Sequence, residues 1–285
     1  MRFIFLLVFA AALLCQTARA RCAAPLYLLP NGPEQTRDEA FGAFTRASFS
    51  AGLSRSLYSS DADLAWDQYY AATITLYRGK SDERFLYFGR AALSADESNP
   101  IHFSPNSVFY DNLLLFSRPI PGGRLGIGYF QRCKHHVDTT GRVWLYNGPY
   151  VDTRFRTGTS GDGYYLGAFL LPLLYSEDLR VERQPRLIFG MEAGAEKKGW
   201  RVSLSPGLVI TGSSGGERYL VFRDLRRDAQ ERPEWDIDLE MGRSWRVHGT
   251  DLSAYLEYTD TEDAGVSMRV ERTRLFALGF RIGIQ

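Results

Sequence analysis

The chain alternates apolar and polar residues with a period of two over most of its length. In WDIDLEM, Trp235, Ile237, Leu239 and Met241 fall on one face, and Asp236, Asp238 and Glu240 on the other. DLSAYLEY sets Leu252, Ala254, Leu256 and Tyr258 against Ser253, Tyr255 and Glu257. FALGFRIGI sets Phe276, Leu278, Phe280, Ile282 and Ile284 against Ala277, Gly279, Arg281 and Gly283. LAWDQYYAATITLY opposes Leu64, Trp66, Tyr70, Ala72, Ile74 and Leu76 to Asp67, Tyr69, Thr73 and Thr75. In RLGIGYFQRCKH, Leu125, Ile127 and Tyr129 oppose Gly126, Gly128, Arg132 and Lys134. The pattern predicts strands over 39–53, 64–78, 84–95, 107–118, 124–135, 149–157, 163–175, 185–194, 199–210, 217–224, 234–246, 251–259 and 274–284. Many are longer than the 5–6 residues usual in soluble sheets, and suit the roughly 9–11 residues that a tilted strand needs to cross a bilayer. No long helical pattern occurs; the best helical stretch, Phe222 to Pro233, reads more easily as a charged loop.

The connections alternate in length through the first half. SRSLYSSDAD, SADESNPIHFSPN, HHVDTTGRVWLYNG and SEDLRVERQP are long, whereas RGKSDE, PIPGG and TSGDG are short. Short turns at one end and longer loops at the other are the rhythm of a membrane-inserted barrel. One face of the strands is an apolar stripe with Trp, Tyr and Phe towards its ends, and the other carries Gly, Ser, Thr, Tyr and charges. The expected fold is all-β: a closed antiparallel transmembrane β-barrel. A bacterial barrel with both ends on the same side needs an even strand number, so one of the thirteen candidates is wrong, with 141–158 and 195–225 the suspect regions. Twelve strands are expected, fourteen being the alternative.

The first segment reads as an address. Arg2 precedes an apolar run from Phe3 to Leu14, and Ala18-Arg19-Ala20 ends it as a small-x-small cleavage site. The run is too short to anchor the chain. Cys15 follows Leu14, where a lipoprotein would carry a small residue. Removing residues 1–20 takes the formal charge from +1 to −1. There is no basic excess for nucleic acid. The division expected is a signal peptide over 1–20, a periplasmic tail or inner plug over 21–38, and the barrel over 39–285. Cys22 and Cys133 remain after cleavage and could pair in an oxidising compartment; such a bond would thread residues 22–38 up the lumen.

From Glu39 onward the chain resembles bacterial outer-membrane β-barrel proteins and is weakly similar to uncharacterised barrel families. The resemblance is one of architecture rather than of a motif. It implies a place in the outer membrane of a Gram-negative bacterium, with outer-membrane lipids and the barrel-insertion machinery as partners. Such proteins commonly end on an aromatic residue; this chain ends Ile284-Gln285.

Three groups of residues are candidates for chemistry. His102 and Ser104 have the spacing at which an imidazole could take a proton from a hydroxyl, as in outer-membrane phospholipases and lipid A deacylases, but Pro100 and Pro105 bracket them as a loop. Arg132, Cys133, Lys134, His135, His136 and Asp138 form the densest polar cluster; it reads as a polar rim, and its spacing is diagnostic of no metal. Asp236, Asp238, Glu240 and Glu257 make an acidic inner surface on neighbouring strands, with Arg132, Arg154, Arg156, Arg269 and Arg281 available as basic partners. No phosphate loop or nucleophile elbow occurs, and no cofactor or metal is expected. The leading expectation is a non-enzymatic barrel: a porin-like narrow channel for small solutes, or a structural surface protein. A lipid hydrolase using His102 and Ser104 and a soluble periplasmic lipocalin-like binding protein are the alternatives.

Overall fold

The computed structural model describes residues 42–59, 65–95, 107–136, 143–159, 162–178, 183–213, 219–220, 232–261 and 273–284. They form fourteen strands: β1 (Gly42–Ser59), β2 (Trp66–Arg78), β3 (Arg84–Ala95), β4 (Ser107–Ile120), β5 (Gly123–His136), β6 (Val143–Thr159), β7 (Asp162–Pro172), β8 (Tyr175–Asp178), β9 (Arg183–Lys197), β10 (Trp200–Ser213), β11 (Tyr219–Leu220), β12 (Arg232–Val247), β13 (Thr250–Thr261) and β14 (Thr273–Ile284). Twelve of them close a ring. Sequence neighbours pair from β1 to β7, then the order runs β9, β10, β12, β13 and β14, and β14 returns to β1 with Phe49 opposite Ile284. Every pairing is antiparallel. The ring leaves no unpaired edge, which is what lets a sheet sit in hydrocarbon. Its strands run from 11 residues in β7 to 18 in β1.

The strand expected at 217–224 is the one in excess. The residues described there, Tyr219 and Leu220, pair outside the ring with β8. β8 itself continues the rail of β7. Val151 pairs with Leu170, and further along the same strand Asn147 pairs with Tyr175. The candidate 163–175 is therefore broken after Pro172, which cannot donate to a ladder. The candidate 149–157 is longer than expected, reaching back to Val143, so much of the loop expected there belongs to β6.

The alternation of connection lengths holds around the whole ring. At one end lie 121–122, 160–161, 198–199 and 248–249, with the five-residue turn Gly79–Glu83; at the other lie 60–65, 96–106, 137–142, 173–182, 214–231 and 262–272. Lys198 and Gly199 have φ of 49° and 81°, and His248 and Gly249 have 50° and 83°. Two successive positive φ values make the turn type whose twist matches the strands it joins, and glycine fills the second position without strain.

The apolar side of the strands faces outward. Phe49, Tyr110, Leu114, Ile127, Leu166, Trp235, Phe280 and Ile284 are all large, apolar and exposed, whereas Arg132, Asp111, Asp152, Asp236 and Asp238 are buried inside. This is the inverse of a soluble barrel. β2 needs one correction: a bulge between Thr75 and Tyr77 shifts the parity, so Tyr77 rather than Leu76 continues the exposed row.

Candidate functional site in the barrel lumen

Half of the interior is packed shut. Phe88, Leu113, Leu115, Phe130, Tyr150, Phe169, Leu171, Ile188 and Val209 form one cluster contributed by β3 to β7, β9 and β10. Tyr150 stacks on Phe169 with centroids 5.7 Å apart. Against this cluster lies a buried ion triad. Arg132 donates to both oxygens of Asp111 at 2.6 and 2.9 Å, and Arg90 reaches Asp111 at 3.1 Å. The Arg132 and Asp111 side chains are 2% and 4% exposed and Arg90 is 15%, so one carboxylate holds one cation out of water and a second that is mostly buried. On β6, Arg154 pairs with Asp152 at 3.0 Å.

The other half is lined by a lattice of arginine, carboxylate and tyrosine that water reaches. Arg281 of β14 donates to Glu240 of β12 at 3.0 Å. Its guanidinium carbon is 4.6 Å from the Tyr255 ring centroid and 5.8 Å from that of Tyr69, within cation–π range. Arg201 of β10 donates to the Tyr165 hydroxyl and to Glu192, both at 2.9 Å. The rings lie flat because inward glycines make room. A Cβ on Gly52 would stand 2.2 Å from the Tyr69 ring, and one on Gly279 the same distance from that of Tyr255. Here the Arg281 side chain is 30% exposed and Arg201 23%. Glu257 stands directly opposite Glu240 in register, a like-charge pairing that Arg281 compensates. Asp236 and Asp238 lie deeper in the same wall.

The mouth at the short-turn end carries a third cluster. Asp82, with φ of 66°, accepts from Arg78 at 2.8 Å, Arg84 at 3.2 Å and Arg124 of β5. Its backbone carbonyl also accepts from Arg124 at 2.7 Å, so the β2–β3 turn is tied across β4. Partial burial would raise the Asp82 carboxyl, but the hydrogen bonds from Arg78 and Arg124 and the charges of Arg84 and Arg124 outweigh it and hold it at about 2.

Of the residues singled out in the sequence, Asp236, Asp238, Glu240, Glu257 and Arg281 come together on β12 to β14. Arg132, Arg154 and Arg156 do not join them; they pair with Asp111, Asp152 and Glu196. Arg132 sits in the sealed half and not on a rim. Cys133 is half-buried on β5, in register with Tyr110 and Leu145. Lys134, His135 and His136 end β5. Cys22, His102, Ser104, Asp138 and Arg269 lie outside the described residues, as do segments 1–20 and 21–38. Sequence reasoning missed Arg90, Asp111, Glu192 and Arg201. Among the described residues no group of three His, Cys, Asp or Glu side chains is arranged to hold a metal ion.

No protein-family model matches the chain, and no curated protein sequence does. Solved structures share the fold. The outer membrane phospholipase A from Escherichia coli is 9% identical, with a TM-score of 0.48 over 86% of this chain and 98% of that one. The KdgM porin is 8% identical, with a TM-score of 0.44 over 82% and 97%. LpxR from Salmonella typhimurium is 8% identical, with a TM-score of 0.44 over 83% and 99%. The fold of this chain is a closed twelve-strand antiparallel β-barrel.

Proposed function

We propose that the protein is a non-enzymatic barrel of a Gram-negative outer membrane, and that it passes small solutes through a narrow path along the Arg281–Glu240 wall. The short-turn end faces the periplasm, residues 1–20 direct export, and the barrel-insertion machinery places the chain among outer-membrane lipids. The observation that carries this reading is the contrast in water access across one lumen: the Arg281 side chain is 30% exposed inside the barrel, and the Arg132 side chain 2%. The apolar cluster keeps the bore narrow, and the lattice of opposed charges leaves a wetted route beside it. The continuous apolar outer face supports a lipid environment over a soluble lipocalin-like role, because such a surface in water promotes association.

The test is single-channel recording in planar bilayers. The wild type should give small, discrete conductance steps. The double substitution Arg281→Gln with Glu240→Gln removes both charges together and should enlarge or re-select those steps. A barrel that inserts and shows heat-modifiable gel mobility, yet never conducts, would leave a structural role and end the channel reading.

A further inference from the structure

We infer that the hairpins β9–β10 and β12–β13 carry, on the outer wall at the short-turn end, a seat for the phosphate of an anionic glycerophospholipid. The inference rests on the membrane-spanning reading above. Arg243 of β12 is exposed and stands opposite Trp200 of β10. Its guanidinium carbon is 5.3 Å from the Trp200 ring centroid and 5.7 Å from that of Trp245. Both indoles are themselves exposed, at 51% and 43%. Neither ring offers an acceptor oxygen, so the guanidinium donors are left for water or a phosphate.

Charge singles this place out. The arginines of the lumen are held by carboxylates, and on the same hairpin Arg246 pairs with Asp251 at 3.4 Å. Among the described residues Arg243 makes no ion pair. Lys197, directly opposite Trp200, and Lys198 in the adjoining turn are exposed and make none either. Glu196 is engaged by Arg156 at 2.7 Å, which leaves Asp162, in register with Lys197, as the facing acid. Three cations and two indoles thus meet where the apolar outer band ends, with exposed Val202 and Met241 continuing toward the bilayer centre. Indoles favour the headgroup level, and each basic residue near the surface attracts an anionic lipid by about 1 kcal/mol.

Native mass spectrometry of the full chain tests this. The protein is inserted into nanodiscs of equal phosphatidylglycerol and phosphatidylcholine, and the lipids retained on release are counted. The wild type should keep phosphatidylglycerol preferentially. Arg243→Gln should lower the ratio of the two lipids about fivefold, the equivalent of one such charge. Arg243→Lys should lose only part of it. Arg118→Gln, an exposed outward arginine elsewhere at that end, should change nothing. Equal ratios in the wild type and Arg243→Gln, or an equal fall in Arg118→Gln, would overturn the seat while leaving the membrane reading intact. A wild-type chain that enters neither lipid would overturn both.

Discussion

The two walls of the lumen use the same chemical parts to different ends. On β4 and β5, Asp111 and Arg132 are sealed behind aliphatic and aromatic side chains; on β10 and β14, Arg201 and Arg281 are partly exposed between tyrosines, beside the buried Asp236 and Asp238. The sealed wall is a protein core turned inside a barrel. Its ion triad survives because each charge is met by another, since charges taken out of water are costly unless paired with good geometry. The partly exposed arginines Arg201 and Arg281 keep more of their solvation than Arg132 does, so less rests on their pairing with Glu192 and Glu240. A barrel can therefore divide its interior between a half that holds the ring together and a half that stays partly open.

The contrast breaks most visibly at Asp111. Asp111→Ala leaves Arg132 and Arg90 without their shared acceptor in a dry site, and should cost about 3–5 kcal/mol of stability. Urea unfolding in detergent measures it. Next comes Leu171→Ala, which empties space in a cluster where Leu171 is 0% exposed; about 2–5 kcal/mol is expected by the same measurement. On the opposite wall, Glu240→Gln removes a carboxylate whose partner Arg281 is 30% exposed, and should cost less than Asp111→Ala, about 1 kcal/mol. If Glu240→Gln proves as damaging as Asp111→Ala, the two walls are not different and the division of labour fails.

The same contrast explains what could be read in the sequence. Alternation is visible where one side of a strand meets lipid and the other meets water. β12 to β14 meet that condition, so their inward acids and Arg281 were legible. β4 does not: Leu113 and Leu115 point into the sealed cluster while Leu114 and Phe116 point to lipid, and the run NLLLFS shows no period. Asp111 stands immediately before that run, and Arg90 behind Leu86 and Phe88 on β3. The β2 bulge was invisible because a one-residue slip leaves composition unchanged. The excess strand at 217–224 was apolar enough to read as β, but it lies in the long connection between β10 and β12. Ring closure, which decided its fate, is a property of all the strands together.

The smallest effect concerns the turn that lies between the two walls at the short-turn mouth. Asp82 is partly buried at the mouth, 22% exposed, so its ion pairs are partly screened and their loss should be felt only modestly. Its pH signature is nonetheless specific. The folded-state carboxyl is held at about 2, below its ordinary value of 3.8. A depressed carboxyl contributes stability that is fully present above the unfolded value and fades as pH falls through the folded one. Asp82→Asn is the suitable probe, because asparagine tolerates a positive φ and the turn keeps its shape. The wild type should melt slightly above Asp82→Asn at pH 5 to 7, and the gap should close between about pH 4 and pH 2. A gap that stays constant over that range would mean the three arginines do not act through the Asp82 charge, and the mouth would then be held by the Arg124 bond to the backbone carbonyl alone.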